Sequence, residues 1–340
     1  MVAELTVILV IISTVTFVYL KSSVIKAFVL LINVIVSAAV AFAYFETLGR
    51  IIIGYDLVIA WALPASLIVI FALTLAILNA IGGKLAPADI YLSEFADKII
   101  RSLIAAFVGF AIAGVILTAV ALMPLSTGLP YERFSPNVTR FTEPDKQLIL
   151  NADGFVTAVS SWLSRGSLSS QKSFAVFHPD FLNEIYLNRI GTDSQNPPVA
   201  GSSAVSVTAA WDSDTDLVSS SDNQSLNERG RPIIVKAVTE GSFTMSQVRL
   251  ISKPAGFDND YTGTAEVAWP IGYITTGNAV DKKNLSEKAT MRQLDFVFYI
   301  TPGTVPVMLQ YKLNADPAEF KLTSNPQAPP PAPAPAPTQQ

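Results

Sequence analysis

The chain has 340 residues, half of them apolar, a mean hydropathy of +0.42 and a formal net charge of −4. It has no cysteine, which excludes disulfides, zinc–thiolate sites and thiol nucleophiles. Up to Pro124 six basic residues balance six acidic ones, so the whole net charge of −4 lies beyond it, and such mild acidity excludes nucleic acid as an expected partner.

Val2 to Leu20 is apolar apart from Glu4 and a few hydroxyls. It lacks a basic leading region, and Tyr19-Leu-Lys-Ser-Ser offers no small-residue cleavage site, so it reads as a retained first membrane span. A second uncharged run, Ala27 to Phe45, follows the short turn Lys21-Ser-Ser-Val-Ile-Lys26. Glu46 to Asp56 reads as a polar loop, with Glu46 solvated near the interface. The third run, Leu57 to Gly83, has Pro64 in its first half, where a kink is expected. Leu92, Phe95, Ala96 and Ile99 then keep helical spacing among Asp89, Ser93, Glu94 and Asp97. That pattern predicts an amphipathic helix over about 87–98 leading into a fourth span, Ser102 to Met123. Each run is long enough to cross a hydrocarbon core of about 30 Å.

In the fourth span Ala105, Gly109 and Ala113 fall four apart and form a small-residue stripe on which another helix can approach closely. Whether that helix belongs to the same chain or to a second copy is open. The interface charges Lys21, Lys26, Lys84, Lys98 and Arg101, with Asp97 beside them, sit at the turns after spans one and three. By the positive-inside rule those turns face the cytoplasm, and both termini lie outside it. Polar residues inside the spans, Asn33 and Asn79 among them, are not ionisable and read as interhelical hydrogen-bonding groups.

Beyond Leu125 the composition turns to Ser, Thr, Asn, Asp and Gly. Residues 125–198 read as a connector with two short helices, over Leu148–Leu163 and from Pro179-Asp180 to Ile190, where Gly191 ends the second. Over 199–324 the period drops to two. Strands are expected at Ala204–Trp211, Ile233–Thr239, Gln247–Ile251, Thr264–Trp269, Leu294–Thr301 and Val305–Leu313, the last two as a closing hairpin. The fold class is thus a membrane all-α four-helix module over 1–124 followed by a mainly-β domain, an immunoglobulin-like sandwich or a small open barrel. Residues 325–340 are a Pro-rich tail that favours polyproline II and packs no core.

Leu92 through Gly114 resembles the Asp-Arg-Leu-Leu-Gly-x-x-x-Gly-x-x-x-Gly start of the fourth helix in the colicin V production protein family. Asp97 stands where that family has Asp, Lys98 replaces Arg, and Gly109 keeps one glycine, whereas Arg101 and Ala105 occupy two other glycine places. The turn Lys21–Lys26 is similar to the family's basic, glycine-bearing turn, with serine instead of glycine. The resemblance covers about the first 125 residues and lies in the layout of four spans rather than in one residue. It implies an inner-membrane protein tied to toxin production and envelope function; some relatives carry an extracytoplasmic protease after the spans, which agrees with the orientation above.

Candidate chemistry is sparse. The only histidine, His178, has Ser173 and Asp180 nearby, but no serine sits in a nucleophile-elbow setting, and a histidine before Pro-Asp reads as a capping or packing residue. Asp212, Asp214 and Asp216 match the first ligand positions of a calcium loop, but Leu217 replaces the required glycine. Asp258 and Asp260 precede a glycine, Gly263, but lack the acidic twelfth position. Both loops read as solvated turns. No catalytic residue, cofactor or metal is therefore assigned. The expectation is a non-enzymatic anchor or scaffold that presents an extracytoplasmic β-domain to an envelope protein, with the bilayer as a partner and self-association open. A small channel or export accessory is the alternative, and a membrane-anchored hydrolase a weaker one.

Overall fold

A computed structural model describes residues 2–55, 59–85, 93–141, 143–165, 174–193, 196–213, 215–226, 228–256, 263–290, 292–314 and 318–323. The helices are α1 (Val2–Lys21), α2 (Val24–Gly54), α3 (Ala62–Leu85), α4 (Glu94–Leu122), α5 (Ala152–Arg165), α6 (Phe174–Phe177) and α7 (Phe181–Asn188). Four of them, α1 to α4, are long and apolar enough to cross a membrane. The chain is a multi-pass membrane protein with a mainly-β C-terminal region.

Three departures from the sequence expectation concern the helices. First, α2 runs on through Gly54, where a loop was expected from Glu46. Its buried stripe Phe42, Phe45, Gly49 and Ile53 keeps helical spacing across the polar residues. A Cβ at Gly49 would come 2.7 Å from Leu63 Cδ2 on α3, so a larger residue there would displace that side chain. Second, the amphipathic segment and the fourth span are one helix: Ser93 Oγ accepts from the Ala96 amide at 3.4 Å, and Glu94 and Asp97 occupy the positive end of the helix dipole. The part of the expected amphipathic helix before Ser93, like Asp89, lies outside the described residues up to residue 92. Third, Pro64 sits in the first turn of α3, where its missing N–H has no helical partner to lose, so it starts the helix instead of kinking it.

The small-residue stripe packs within the chain. At Gly109 an added Cβ would stand 2.8 Å from the Ile11 Cα of α1, and Ala105 is fully buried with Val18 and Ala27. Ala113 is buried as well. Asn33 Nδ2 donates to Asn79 Oδ1 at 2.8 Å and ties α2 to α3. At the basic end, Arg101 Nη1 donates to the Ser22 carbonyl at 2.8 Å, its guanidinium lies 5.0 Å over the Tyr19 ring, and Asp97 is 3.4 Å away. Lys98 pairs with Glu94 one turn earlier, while Lys21 and Lys26 are exposed.

The strands are β1 (Val205–Asp212), β2 (Val218–Ser219), β3 (Arg231–Thr239), β4 (Phe243–Thr244), β5 (Val248–Pro254), β6 (Glu266–Ala268), β7 (Gly272–Thr276), β8 (Ala279–Lys282), β9 (Lys288–Ala289), β10 (Gln293–Ile300), β11 (Thr304–Tyr311) and β12 (Ala318–Glu319). One sheet has the order β1-β3-β10-β7-β8-β2, a second β12-β11-β5-β6, and β4 pairs with β9. β7 and β8, a hairpin turned at Gly277 (φ 59°), were not foreseen in the sequence. The expected hairpin of β10 with β11 does not form. β10 is bonded on one side to β3 and on the other to β7, so β11 crosses to the second sheet and pairs with β5. β2 and β8 pair in parallel. The Pro-rich tail lies outside the described residues.

One hydrophobic cluster runs from Phe42, Phe45 and Leu122 of the long helices through Phe174, Phe181 and Ile185 into Leu250, Phe296 and Tyr311 of both sheets. The β-region is therefore packed onto the helices through α5 to α7 and not hung from a tether.

Candidate functional site

The junction of the helices and the β-region holds a buried charge cluster. Its members come from four distant stretches: Glu46 from α2, His178 from the turn between α6 and α7, Glu184 from α7 and Arg249 from β5. The aromatic rings of Phe174 and Phe181 lie 5.3 and 5.2 Å from the imidazole and, with Phe42 and Phe45 of α2, shield it, while the Glu46 side chain stays 28 % exposed. His178 is only 2 % exposed.

The contacts alternate in sign. His178 Nδ1 lies 2.9 Å from Glu184 Oε2, and Nε2 lies 3.0 Å from Glu46 Oε1. The Nε2 contact is an ion pair too bent to count as a linear hydrogen bond. Arg249 Nη2 pairs with Glu184, its Nε donates to Gln310 Oε1, and its Nη1 donates to the Phe177 carbonyl at 3.1 Å. Nη2 also stands 3.1 Å from His178 Nδ1. Nδ1 serves as a donor to Glu184 here, since an ionised carboxylate can only accept, and the Arg249 nitrogen, itself only a donor, is then a neighbour and not its partner.

Two carboxylates thus face one guanidinium and one imidazole, and the set is neutral when His178 carries its proton. Burial opposes that charge, but Glu184 and Glu46 outweigh it and hold the imidazole pKa up to about 9. Burial lowers the Arg249 pKa, against the pull of Glu184 and Glu46. Chemically, the cluster holds a proton firmly between two carboxylates. Both imidazole nitrogens are engaged, which leaves no lone pair aimed at a substrate.

Two further polar anchors flank it. Arg189, 2 % exposed, donates from Nη2 to the carbonyls of Leu125 (2.9 Å) and Ser126 (2.5 Å) and from Nη1 to that of Leu129. It clamps the chain where it leaves α4, with its charge at the negative end of that helix. Arg133 donates from Nε to Asn183 Oδ1 at 2.5 Å and from Nη1 to the Tyr131 hydroxyl at 3.2 Å; that hydroxyl donates to Asp153 Oδ2 at 2.9 Å. Burial raises the Asp153 pKa although Tyr131 and the Gly154 amide pull it down. Beside these groups a pocket of about 260 Å³ is lined by Arg133, Thr157, Ser161, Arg165, His178 and Asp180.

The other sequence candidates disperse. Ser173 lies outside the described residues, and Asp180 accepts from Asn183 Nδ2 instead of facing His178. Asp212 pairs with Arg231 at 3.1 Å, Asp214 lies outside the described residues, and Asp216 is exposed. Asp258 and Asp260 also lie outside them. Among the described residues no group of three or more His, Cys, Asp or Glu is placed to hold a metal ion. In the junction cluster itself, Arg249 stands where a cation would have to sit.

Sequence reasoning missed the cluster because its members are far apart in the chain. Glu46, taken as a solvated interface residue, is instead turned toward His178. One signal was present: α7 reads Phe-Leu-Asn-Glu-Ile-Tyr-Leu-Asn, and a glutamate inside such an apolar helix needs a cationic partner.

No protein family, curated protein or solved structure matches the chain.

Proposed function

We propose that the chain is a non-enzymatic membrane scaffold of the colicin V production type, which holds its β-region rigidly on the extracytoplasmic face of a bacterial inner membrane for an envelope protein partner. The observation that carries this reading is the Glu46–His178–Glu184–Arg249 cluster. It commits the only histidine to a joint between helices and β-region, and a rigid joint is what a scaffold needs. The basic residues gathered at the turns after α1 and α3 support the orientation. In this reading the sheets form an immunoglobulin-like sandwich; the core shared by both sheets supports two layers, while the parallel β2–β8 pair departs from that pattern.

The partner is expected near Phe141, whose ring stacks on Trp269 at 4.6 Å and remains 43 % exposed beside Arg140, Lys282 and Lys283. A photo-crosslinking residue at 141 should capture one defined envelope protein in intact cells, whereas one at Ser220 should not. Orientation has its own test, since no native cysteine interferes. Ser220→Cys should react with an impermeant maleimide in spheroplasts and Lys26→Cys should not; the reverse result sinks the assignment of sides.

A further inference from the structure

The helix α5 carries an apolar outer face that, among the described residues, is only partly covered. Ala152, Asp153, Val156, Thr157, Ser160 and Ser164 turn inward and are buried. On the other side Phe155, Val159 and Trp162 follow i, i+4, i+7 spacing, and Ile149 precedes them. Ile149 is 89 % and Trp162 67 % exposed. The stripe bears no charge; Asp153 points inward to Tyr131, and Arg165 ends the helix.

Its height relative to the spans identifies what covers it. Phe155 packs on Phe110 of α4 with ring centroids 5.3 Å apart. A Cβ at Gly114 would lie 2.2 Å from the Ala152 carbonyl oxygen, so α5 rests directly on α4 between Phe110 and Gly114. The adjacent Gly109 touches Ile11, the midpoint of the 20-residue α1. A helix of that length just spans the hydrocarbon, roughly 30 Å. Phe110 is therefore level with the middle of a spanning helix, and Gly114 is only about 6 Å nearer its end. When α1 is embedded, α5 is at bilayer depth too.

We propose that α5 is inserted in the leaflet on the side of the β-region, with Ile149, Phe155, Val159 and Trp162 in contact with lipid acyl chains. Its buried face seals against α4, and Arg165 lines the polar pocket with Arg133 and Asp180 instead of joining the apolar stripe. The β-region is then seated partly in the membrane. This rests on the spanning of the four helices alone and holds whichever side of the membrane the β-region occupies.

The test uses the full chain in lipid nanodiscs. Trp162→Cys and Val159→Cys, each labelled with an environment-sensitive NBD fluorophore, should emit blue-shifted light. Acyl-chain doxyl lipids should quench them several-fold more than Ser220→Cys, and aqueous iodide several-fold less. Iodide-accessible, lipid-insensitive labels at both positions would overturn the proposal. So would shielding from both quenchers together with Trp162→Cys disulfide formation between copies, which would make the face a protein interface. Trp162 is largely exposed, so its replacement leaves the fold intact, and a second probe position guards against a local effect.

Discussion

Glu46 on the second membrane helix and His178 in the β-region's supporting layer meet at 3.0 Å, although 131 positions separate them. The contact joins the long apolar helices to the layer that carries the β-region. Its strength depends on both carboxylates, since Glu184 grips the other imidazole nitrogen.

Removing a carboxylate should loosen this joint. Glu184→Gln leaves Arg249 and His178 buried with too little negative charge, and breaking such a buried pair costs about 3–5 kcal/mol. A lower melting temperature of the β-region is the expected readout. Glu46→Gln should cost less, because Glu46 keeps some solvent, but it should selectively hasten proteolysis of α6 and α7 relative to the sheets. Equal protease resistance in the two proteins would argue against a joint.

The cluster also sets a pH dependence. With a folded pKa of about 9 against an ordinary 6.5, His178 binds its proton more tightly in the native state. Its stabilising contribution is complete below pH 6.5 and is lost as pH rises through 9, a difference of roughly 3 kcal/mol. Thermal stability should fall across that window in the native protein and stay flatter in His178→Gln. Because the chain has a single histidine, NMR of ring-labelled protein should show one imidazole titrating near pH 9, and lower in Glu46→Gln.

At Gly114 even one methyl group has no room, since its Cβ would lie 2.2 Å from the backbone oxygen of Ala152. Gly114→Ala should push α5 from α4 and cost about 1–3 kcal/mol, the range for overpacking. Gly109→Ala should do the same to α1 and α4. Gly128→Ala meets nothing within 4 Å and serves as the neutral control. Thermal unfolding in detergent ranks the variants.

Arg189→Lys keeps the charge but cannot reach three carbonyls with one fork. A loss of about 2 kcal/mol is expected, within the range for unsatisfied buried polar groups. Hydrogen exchange over residues 125–129 should accelerate before that of the sheets. Unchanged exchange there would remove Arg189 from the role of clamp.

Sequence by itself determined where the chain meets lipid and where it turns to β-structure. Uninterrupted apolar runs such as Ala27–Phe45 are a local, length-based signal that the bilayer enforces. Period-two segments such as Leu294–Ile300 are equally local. The stripe Ala105/Gly109/Ala113 was legible as a contact face, but only the tertiary structure chose α1 as its partner. The same holds for β10, whose strand was visible and whose neighbours were not: pairing depends on which edges are already taken. Glu46 shows the limit most clearly. In the sequence it is a charge at the end of an apolar run, indistinguishable from a solvated one. Only the fold brings His178, Glu184 and Arg249 to it from distant parts of the chain, because burying a charge requires compensation in three dimensions and not along the sequence.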